Sequence, residues 1–213
     1  MSTAAPTLAP MADPALVALF RGASTPTISD NLDRLPGILG LRAFHRRGAL
    51  LGSALTVRVR AGDNLAIHQA LAIARPGEVL VVDGGGDESR ALVGDIMKAI
   101  AESRGVVGFV IDGAIRDSAV FAQADFPCYA RAAIHRGPYK TGPGAINVPV
   151  SVGGCTVNPG DIVVGDADGV VTFPPALAER VSEAVRAQEA REAEVLHLIR
   201  EGRYDGRYAK ATN

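Results

Sequence analysis

The stretch GEVLVVDGGGDESRALVGDIMKAI, residues 77–100, decides the fold. Val79-Leu80-Val81-Val82 is an apolar run without a polar interruption, the mark of a strand buried on both faces. Gly84-Gly85-Gly86 reads as a turn closing that strand. Beyond it, Ile96 and Ile100 stand four apart, so a helix is expected from Gly94 to a stop at Gly105. The segments on either side repeat the unit. Upstream, ALTVRVRAGDN (54–64) alternates Leu55, Val57 and Val59 with Thr56, Arg58 and Arg60, which predicts a strand with one wet face. Asp63 or Asn64 then caps a helix through LAIHQALAIA, ended by Pro76-Gly77. Downstream, Gly108-Phe109-Val110-Ile111 opens a third strand. A β-α-β-α-β order over about 54–112 predicts a partly parallel sheet with helices packed on it.

From residue 127 the texture changes to short strands punctuated by Gly, Pro, Asn and Asp, as in antiparallel or barrel-like β structure. One echo joins the two regions: Pro76-Gly77-Glu78-Val79-Leu80-Val81-Val82-Asp83 and Pro159-Gly160-Asp161-Ile162-Val163-Val164-Gly165-Asp166. Two copies point to a β-rich swivel-type core and not to a repeat array. Pro174-Pro175 open a long helix that Gly202 stops, with Leu177, Val181 and Val185 as its apolar stripe. Between Arg186 and Glu194 the stripe gives way to charge, then resumes at Val195, Leu198 and Ile199. Such a helix is either solvated and laced with ion pairs, or leaves its own body to lie on a neighbouring subunit. The expected organisation is a flexible arm over 1–20, a core domain over 21–173 and a C-terminal helical segment over 174–213.

Composition narrows the function classes. The 213 residues are 47 % hydrophobic and 21 % charged, enough for a full core. Lys plus Arg (22) nearly balances Asp plus Glu (23), so no net field draws the chain to nucleic acid or to an anionic membrane. Cys128 and Cys155 lack the spacing of a disulfide framework or a metal knuckle and read as reduced thiols. The N-terminal MSTAAPTLAPMADPAL has no basic region followed by an apolar one, and no run approaches the ~20 apolar residues of a membrane span. A cytoplasmic protein is expected.

Several apparent motifs dissolve on inspection. DGGGDESRALVG (83–94) lacks the Gly-Lys-Ser/Thr of a phosphate loop. Asp166-Ala167-Asp168-Gly169 lacks the later acids of a calcium loop and reads as a hairpin turn. His68, on an apolar helix, and His135, beside Arg136, read as structural, although His135-Arg136 could line a cleft. Gly94-Asp95 and Arg116-Asp117 are different. Gly94 precedes a helix whose first N–H groups, on Asp95, Ile96 and Met97, have no intrahelical carbonyl and can hold an anion. Arg116 and Asp117 follow the third strand, at the rim where α/β sheets place their sites. Backbone amides and a guanidinium hold a carboxylate, and a nearby carboxylate holds a hard divalent cation. The alternative is a surface Arg-Asp pair that closes a strand.

Twenty residues separate Asp95 from Arg116. This Gly94-Asp95-x20-Arg116-Asp117 pattern resembles the signature of the 4-hydroxy-4-methyl-2-oxoglutarate / 4-carboxy-4-hydroxy-2-oxoadipate aldolases, the family shared with the regulator of ribonuclease E activity (RraA-like proteins). The likeness also takes in Gly62-Asp63-Asn64, Arg104-Gly105, Asp112-Gly113, Phe126-Pro127, Asn147-x-Pro149-Val150, Gly153-Gly154, Pro159-Gly160-Asp161 and Asp166-x-Asp168-Gly169-Val170, over roughly residues 25–202. The resemblance implies an α/β fold of the β/β/α swivelling type, a sandwich with mixed sheets and a long C-terminal helix. It implies a class II lyase that cleaves a 4-hydroxy-2-oxo diacid to pyruvate and a second keto acid and also decarboxylates oxaloacetate. By that resemblance Asp117 binds Mg²⁺ or Mn²⁺, Arg116 contacts the pyruvoyl part, and Gly94, Asp95, Ile96 and Met97 supply backbone contacts to the substrate carboxylate. Asp95 would hydrogen-bond water on the metal. Glu192, with Glu189 and Glu194 as rivals, would reach a neighbouring subunit's site in a trimer or dimer of trimers. Two other readings stand beside this one. A non-enzymatic regulator that binds a ribonuclease or other protein shares the Arg-Asp motif. A methyltransferase is disfavoured because no glycine-rich cofactor loop follows the first strand.

Overall fold

The computed structural model describes residues 8–34, 37–206 and 208. Two short helices, α1 (Pro14–Ala18) and α2 (Thr25–Asp30), come first, followed by a two-residue strand β1 (Arg42–Ala43). The expected alternation then appears: β2 (Leu50–Val59), α3 (Leu65–Ile73), β3 (Glu78–Val93), α4 (Asp95–Ser103), β4 (Gly108–Ile115), α5 (Ser118–Gln123) and β5 (Cys128–Ala133). Short strands follow: β6 (Gly144–Ile146), β7 (Val150–Val152), β8 (Cys155–Val157), β9 (Ile162–Asp166) and β10 (Gly169–Phe173). A single 3₁₀ turn leads into α6 (Ala178–Arg200).

The main sheet runs β1-β5-β4-β3-β2-β9-β10, with β6 also paired to β2, while β7 and β8 form a separate hairpin. β2, β3, β4 and β5 are mutually parallel, and the flanking pairs β1–β5, β2–β9 and β9–β10 are antiparallel. Alternate side chains explain why the central strands are apolar throughout. Leu80 and Val82 of β3, with Phe109 and Ile111 of β4, pack with Ile67, Leu71, Met97 and Phe121 from α3, α4 and α5. Their neighbours Val79, Val81 and Val110 face the other way, onto Val150, Val152 and Val157 of the β7–β8 hairpin. A third cluster places Ile28 of α2 and Val181 and Val185 of α6 over Val164 and Val171 of β9 and β10. Hairpin, sheet and helices make the β/β/α sandwich that the sequence predicts.

Three local expectations are corrected. Gly84-Gly85-Gly86 does not end the strand: β3 continues to Val93, and Asp83 to Val93 stand opposite only Asp112 to Ile115 through successive bulges. The glycines permit this, since Gly85 and Gly86 take φ of 67° and 71°, where a side chain is disfavoured. The wet face expected of β2 is confined to its end: Arg58 is exposed, but Thr56 is fully buried and donates to Val148 O (2.7 Å). Ile96 is 70 % exposed, so α4 seats Met97 and Ala101 in the core. Of the arm expected over 1–20, residues 1–7 lie outside the described residues. In the rest of it Ala12 and Phe20 are buried, with the Phe20 ring 4.8 Å from that of Phe173, while α1 between them buries no residue.

Candidate functional site

The parallel β3–β4 pair ends with Val93 opposite Ile115, and the Arg116 N–H donates to Val93 O (3.0 Å). This bond ties the two strand ends together just where Gly94 and Arg116 leave the sheet. Asp117 takes a left-handed conformation (φ 55°, ψ 37°), which costs a non-glycine residue about 1–2 kcal/mol. The turn aims its carboxylate back at α4: Oδ2 accepts from the Asp95 N–H (3.0 Å) and lies 3.6 Å from Arg116 Nε. A negative oxygen at a helix start is favoured by the dipole there. Gly94 is required by the same contact, because a Cβ there would stand 2.5 Å from Asp117 Oδ2 and 2.9 Å from Arg116 Cγ.

Arg116 divides two recesses. On one side a cavity of about 210 Å³ is walled by Asn64, His68, Gly94, Met97, Arg116 and Lys140, among others. On the other side an open cleft is lined by Asp117, Ser118 and His135. The Arg116 and Asp117 side chains remain 43 % and 41 % exposed, within reach of a ligand. Partial burial, and then the Lys140 ammonium, hold His68 below its ordinary value, so its imidazole is neutral at pH 7. The closed side of the site therefore presents two cations and a neutral ring, a setting for an anionic ligand.

The segment 137–142 roofs this cavity and is held at both ends. Arg90 donates to Gly137 O and Tyr139 Oη (both 2.9 Å) and stacks 4.1 Å from the Tyr139 ring centroid. Asp63, 1 % exposed, accepts from the N–H groups of Leu65 (2.9 Å), Thr141 (2.7 Å) and Gly142 (2.9 Å). Burial alone would raise the Asp63 carboxyl, but these bonds together hold it below the ordinary range. The sequence offers Asp63 or Asn64 as the helix cap; Asn64 stands at the cap position without a side-chain capping bond, and Asp63, one residue earlier, accepts from the first helical N–H, on Leu65. Its second task, gripping the roof that bears Lys140, joins residues 78 positions apart and leaves no local signal.

Gly94, Asp95, Ile96, Met97, Arg116 and Asp117 are thus brought to one rim, with one adjustment. The Asp95 N–H is engaged by Asp117, which leaves the Ile96 and Met97 amides as the first-turn donors without an intrahelical carbonyl. Lys98 pairs with Glu102 (2.9 Å), whereas Lys140 joins the cavity wall. His68, read from sequence as structural, also belongs to that wall, and His135 lines the open cleft. Glu192 is not brought to Arg116 within the chain. Its helix packs over β9 and β10, and its Oε1 accepts from Gln188 Nε2 and Tyr208 Oη (2.9 Å each). Cys128 is buried deeply enough that its thiol is pushed far up, so it is inert.

Among the described residues, no three His, Cys, Asp or Glu side chains gather as a metal cluster. The donors present suit a different mode. Mg²⁺ keeps most of its water and uses one or two carboxylates, and Asp117, with Asp95 beside it at an exposed rim, offers that. No described helix is long and apolar enough to cross a membrane.

Comparison with known proteins places this geometry. The RraA-like family model (Aldolase/RraA) matches residues 25–172. A protein of Halalkalibacterium halodurans named "Putative 4-hydroxy-4-methyl-2-oxoglutarate aldolase" is 41 % identical over 172 residues, covering 80 % of this chain and 82 % of that one. Among solved structures, an uncharacterized protein of Pseudomonas syringae pv. tomato superposes with a TM-score of 0.80 at 28 % identity, over 91 % of this chain and 96 % of that one. RraAS2 of Streptomyces coelicolor, described as an unusual member of the RNase ES inhibitor RraA protein family, gives a TM-score of 0.80 at 27 % identity, over 87 % and 97 %. On the share of the chain that the family model matches, and on a relative this similar over four fifths of both proteins, the chain belongs to the RraA-like (Aldolase/RraA) family.

Proposed function

We propose that this protein is a lyase, a divalent-metal-dependent aldolase that cleaves a 4-hydroxy-2-oxo diacid to pyruvate and a second keto acid. The observation that supports it most is the joined rim: the α4 start, Arg116 and Asp117 held by the Arg116–Val93 and Asp95–Asp117 bonds beside a cationic cavity. The substrate's C1 carboxylate sits against the Ile96 and Met97 N–H groups, where unpaired donors and the helix dipole favour an anion. Arg116 stands beside the 2-oxo group. When the C3–C4 bond breaks, its electron pair flows toward the C2 oxygen, and the guanidinium offsets the charge that collects there. The C4 hydroxyl passes its proton to water at the exposed rim and becomes the carbonyl of the second product, and a proton from water adds to C3 of the enolate to give pyruvate. Lys140 takes the distal carboxylate, and neutral His68 leaves that cationic end undiminished.

Mg²⁺ or Mn²⁺ held by Asp117 would supply Lewis-acid polarisation of the 2-oxo group. Loss of CO₂ from oxaloacetate places the same charge on the same oxygen, so decarboxylase activity belongs to the proposal. A trimer or dimer of trimers completes it. The distal half of α6 leaves Leu196 and Ile199 about half exposed, at 50 % and 49 %, which supports packing on a neighbouring subunit and delivery of Glu192 to that subunit's site. The test is pyruvate release from 4-hydroxy-4-methyl-2-oxoglutarate and from oxaloacetate with Mg²⁺. Release from both is expected, and release from neither would overturn the proposal. A second reading, a protein-binding regulator, is favoured by the Streptomyces neighbour's description as a member of an RNase inhibitor family. That reading predicts ribonuclease binding undiminished by Asp117→Asn.

A further inference from the structure

The Arg116 side chain is placed without a hydrogen bond among the described residues: Asp117 Oδ2 stands 3.6 Å from its Nε, beyond hydrogen-bond reach. A guanidinium that gives its donors to a ligand has to be held by the shape around it, since every bond to the protein would occupy a donor. Two glycines supply that shape, and both line the closed cavity with Arg116. A Cβ on Gly94 would meet the stem of the side chain, 2.9 Å from Cγ and 3.1 Å from Nε. A Cβ on Gly137 would meet its tip, 3.3 Å from Nη1. Apart from the chain neighbours of Gly137, it would meet no other described atom within 4 Å. Gly137 is not free to retreat. The Arg136 carbonyl before it accepts from the Ala91 N–H of β3 (2.9 Å), and its own carbonyl accepts from Arg90 Nη1 (2.9 Å). Its backbone is not left-handed, so conformation does not call for a glycine at 137. The approach of Arg116 does.

We infer that Gly137 is a positioning residue for Arg116: a side chain at 137 would displace the guanidinium from the oxygen on which charge collects. The inference rests on the reaction proposed above and gives the roof a second part in it. Besides carrying Lys140, the roof sets with its backbone where Arg116 Nη1 stands. Electrostatic stabilisation depends on donors already in place where charge develops, and a displacement of ~1 Å can cost ~10²-fold in rate. A Cβ at 3.3 Å asks its neighbour to give by only a few tenths of an ångström, so the loss is smaller. The first-turn amides of α4 and Lys140 are untouched by that shift, so substrate binding is kept. Aldol cleavage and decarboxylation place charge on the same oxygen, so both slow together.

Steady-state pyruvate release by the full chain with Mg²⁺ tests this. Gly137→Ala should lower kcat about five- to tenfold on both 4-hydroxy-4-methyl-2-oxoglutarate and oxaloacetate and leave KM unchanged. In an Arg116→Lys background, whose ammonium ends short of Nη1, the same substitution should cost nothing further, because the new Cβ then meets no neighbour. For the same reason the double variant should melt no lower than Arg116→Lys, a reading that stands even where Gly137→Ala alone fails to fold. An unchanged kcat in folded Gly137→Ala, an equal loss in both backgrounds, or a lower melting temperature of the double variant would overturn the role of Gly137 and leave the aldolase proposal standing. No pyruvate release from wild-type protein would overturn both.

Discussion

Two strands flank β2 and begin on nearly the same words, and only one of them leads to the site. Pro76-Gly77-Glu78 opens β3, and Pro159-Gly160-Asp161 opens β9. Their first turns match closely: Gly77 and Gly160 have φ of 86° and 85°, and the acid after each is buried. Consecutive residues of β2 grip the two turns, Ser53 N through Gly77 O (3.1 Å) and Ala54 N through Asp161 O (2.8 Å). Beyond that the paths part. β9 stops at Asp166 and folds back into β10, and the Asp166 carboxylate accepts from Thr25 N (2.7 Å) and Thr25 Oγ1 (2.6 Å), closing the third core. β3 runs on through its glycines to Gly94 and the start of α4. A shared strand seed builds the sheet. What the chain does after the strand decides whether the arm serves stability or chemistry.

That division can be attacked by substitution. On the β3 side, Arg116→Ala or Asp117→Asn should lower pyruvate release about 10²–10³-fold, the scale for removing a preorganised electrostatic contact. Their melting temperatures should barely move, since both side chains are exposed and asparagine tolerates the left-handed turn at 117. Asp166→Ala should do the reverse, costing about 2–3 kcal/mol in denaturant unfolding through three lost bonds while turnover per folded molecule is unchanged. A smaller effect is expected of Asp63→Asn, which loosens the roof bearing Lys140: KM should rise about tenfold with little change in kcat. An unchanged KM would detach the roof from substrate binding.

The smallest effects concern pH, and they carry opposite signs. Asp63 is held below its ordinary value of 3.8, so its stabilisation is present above that value and is lost as pH falls through the lowered one. Burial raises Asp161, against the opposing bonds from Asn158, so its stabilisation is full below 3.8 and is lost as pH rises through the raised value. Unfolding free energies from pH 3 to 7 should therefore flatten in acid for Asp63→Asn and flatten toward neutrality for Asp161→Asn. Parallel shifts in the two variants would contradict the assignment.

The sandwich was legible in the sequence because its signals are local. The apolar runs at Val79–Val82 and Phe109–Ile111 and the helical spacing in 65–74 each span a few residues. Gly94, Arg116 and Asp117 were legible for the same reason, since each stands at an element's end. The course of β3 through Gly84–Gly86 was hidden because three glycines write a turn and a bulged strand alike. The grip of Asp63 on the roof was hidden by distance along the chain: nothing near residue 63 says that residues 141 and 142 will donate to it. Ile96 misled because apolar spacing marks a helix without saying which apolar residues face the core.

One metal titration tests the central claim most directly. Pyruvate release by wild-type protein should vanish in EDTA and return with Mg²⁺ or Mn²⁺, while Asp117→Asn stays silent at every metal concentration. Chelator-insensitive release, or full recovery of Asp117→Asn with metal, would contradict the account.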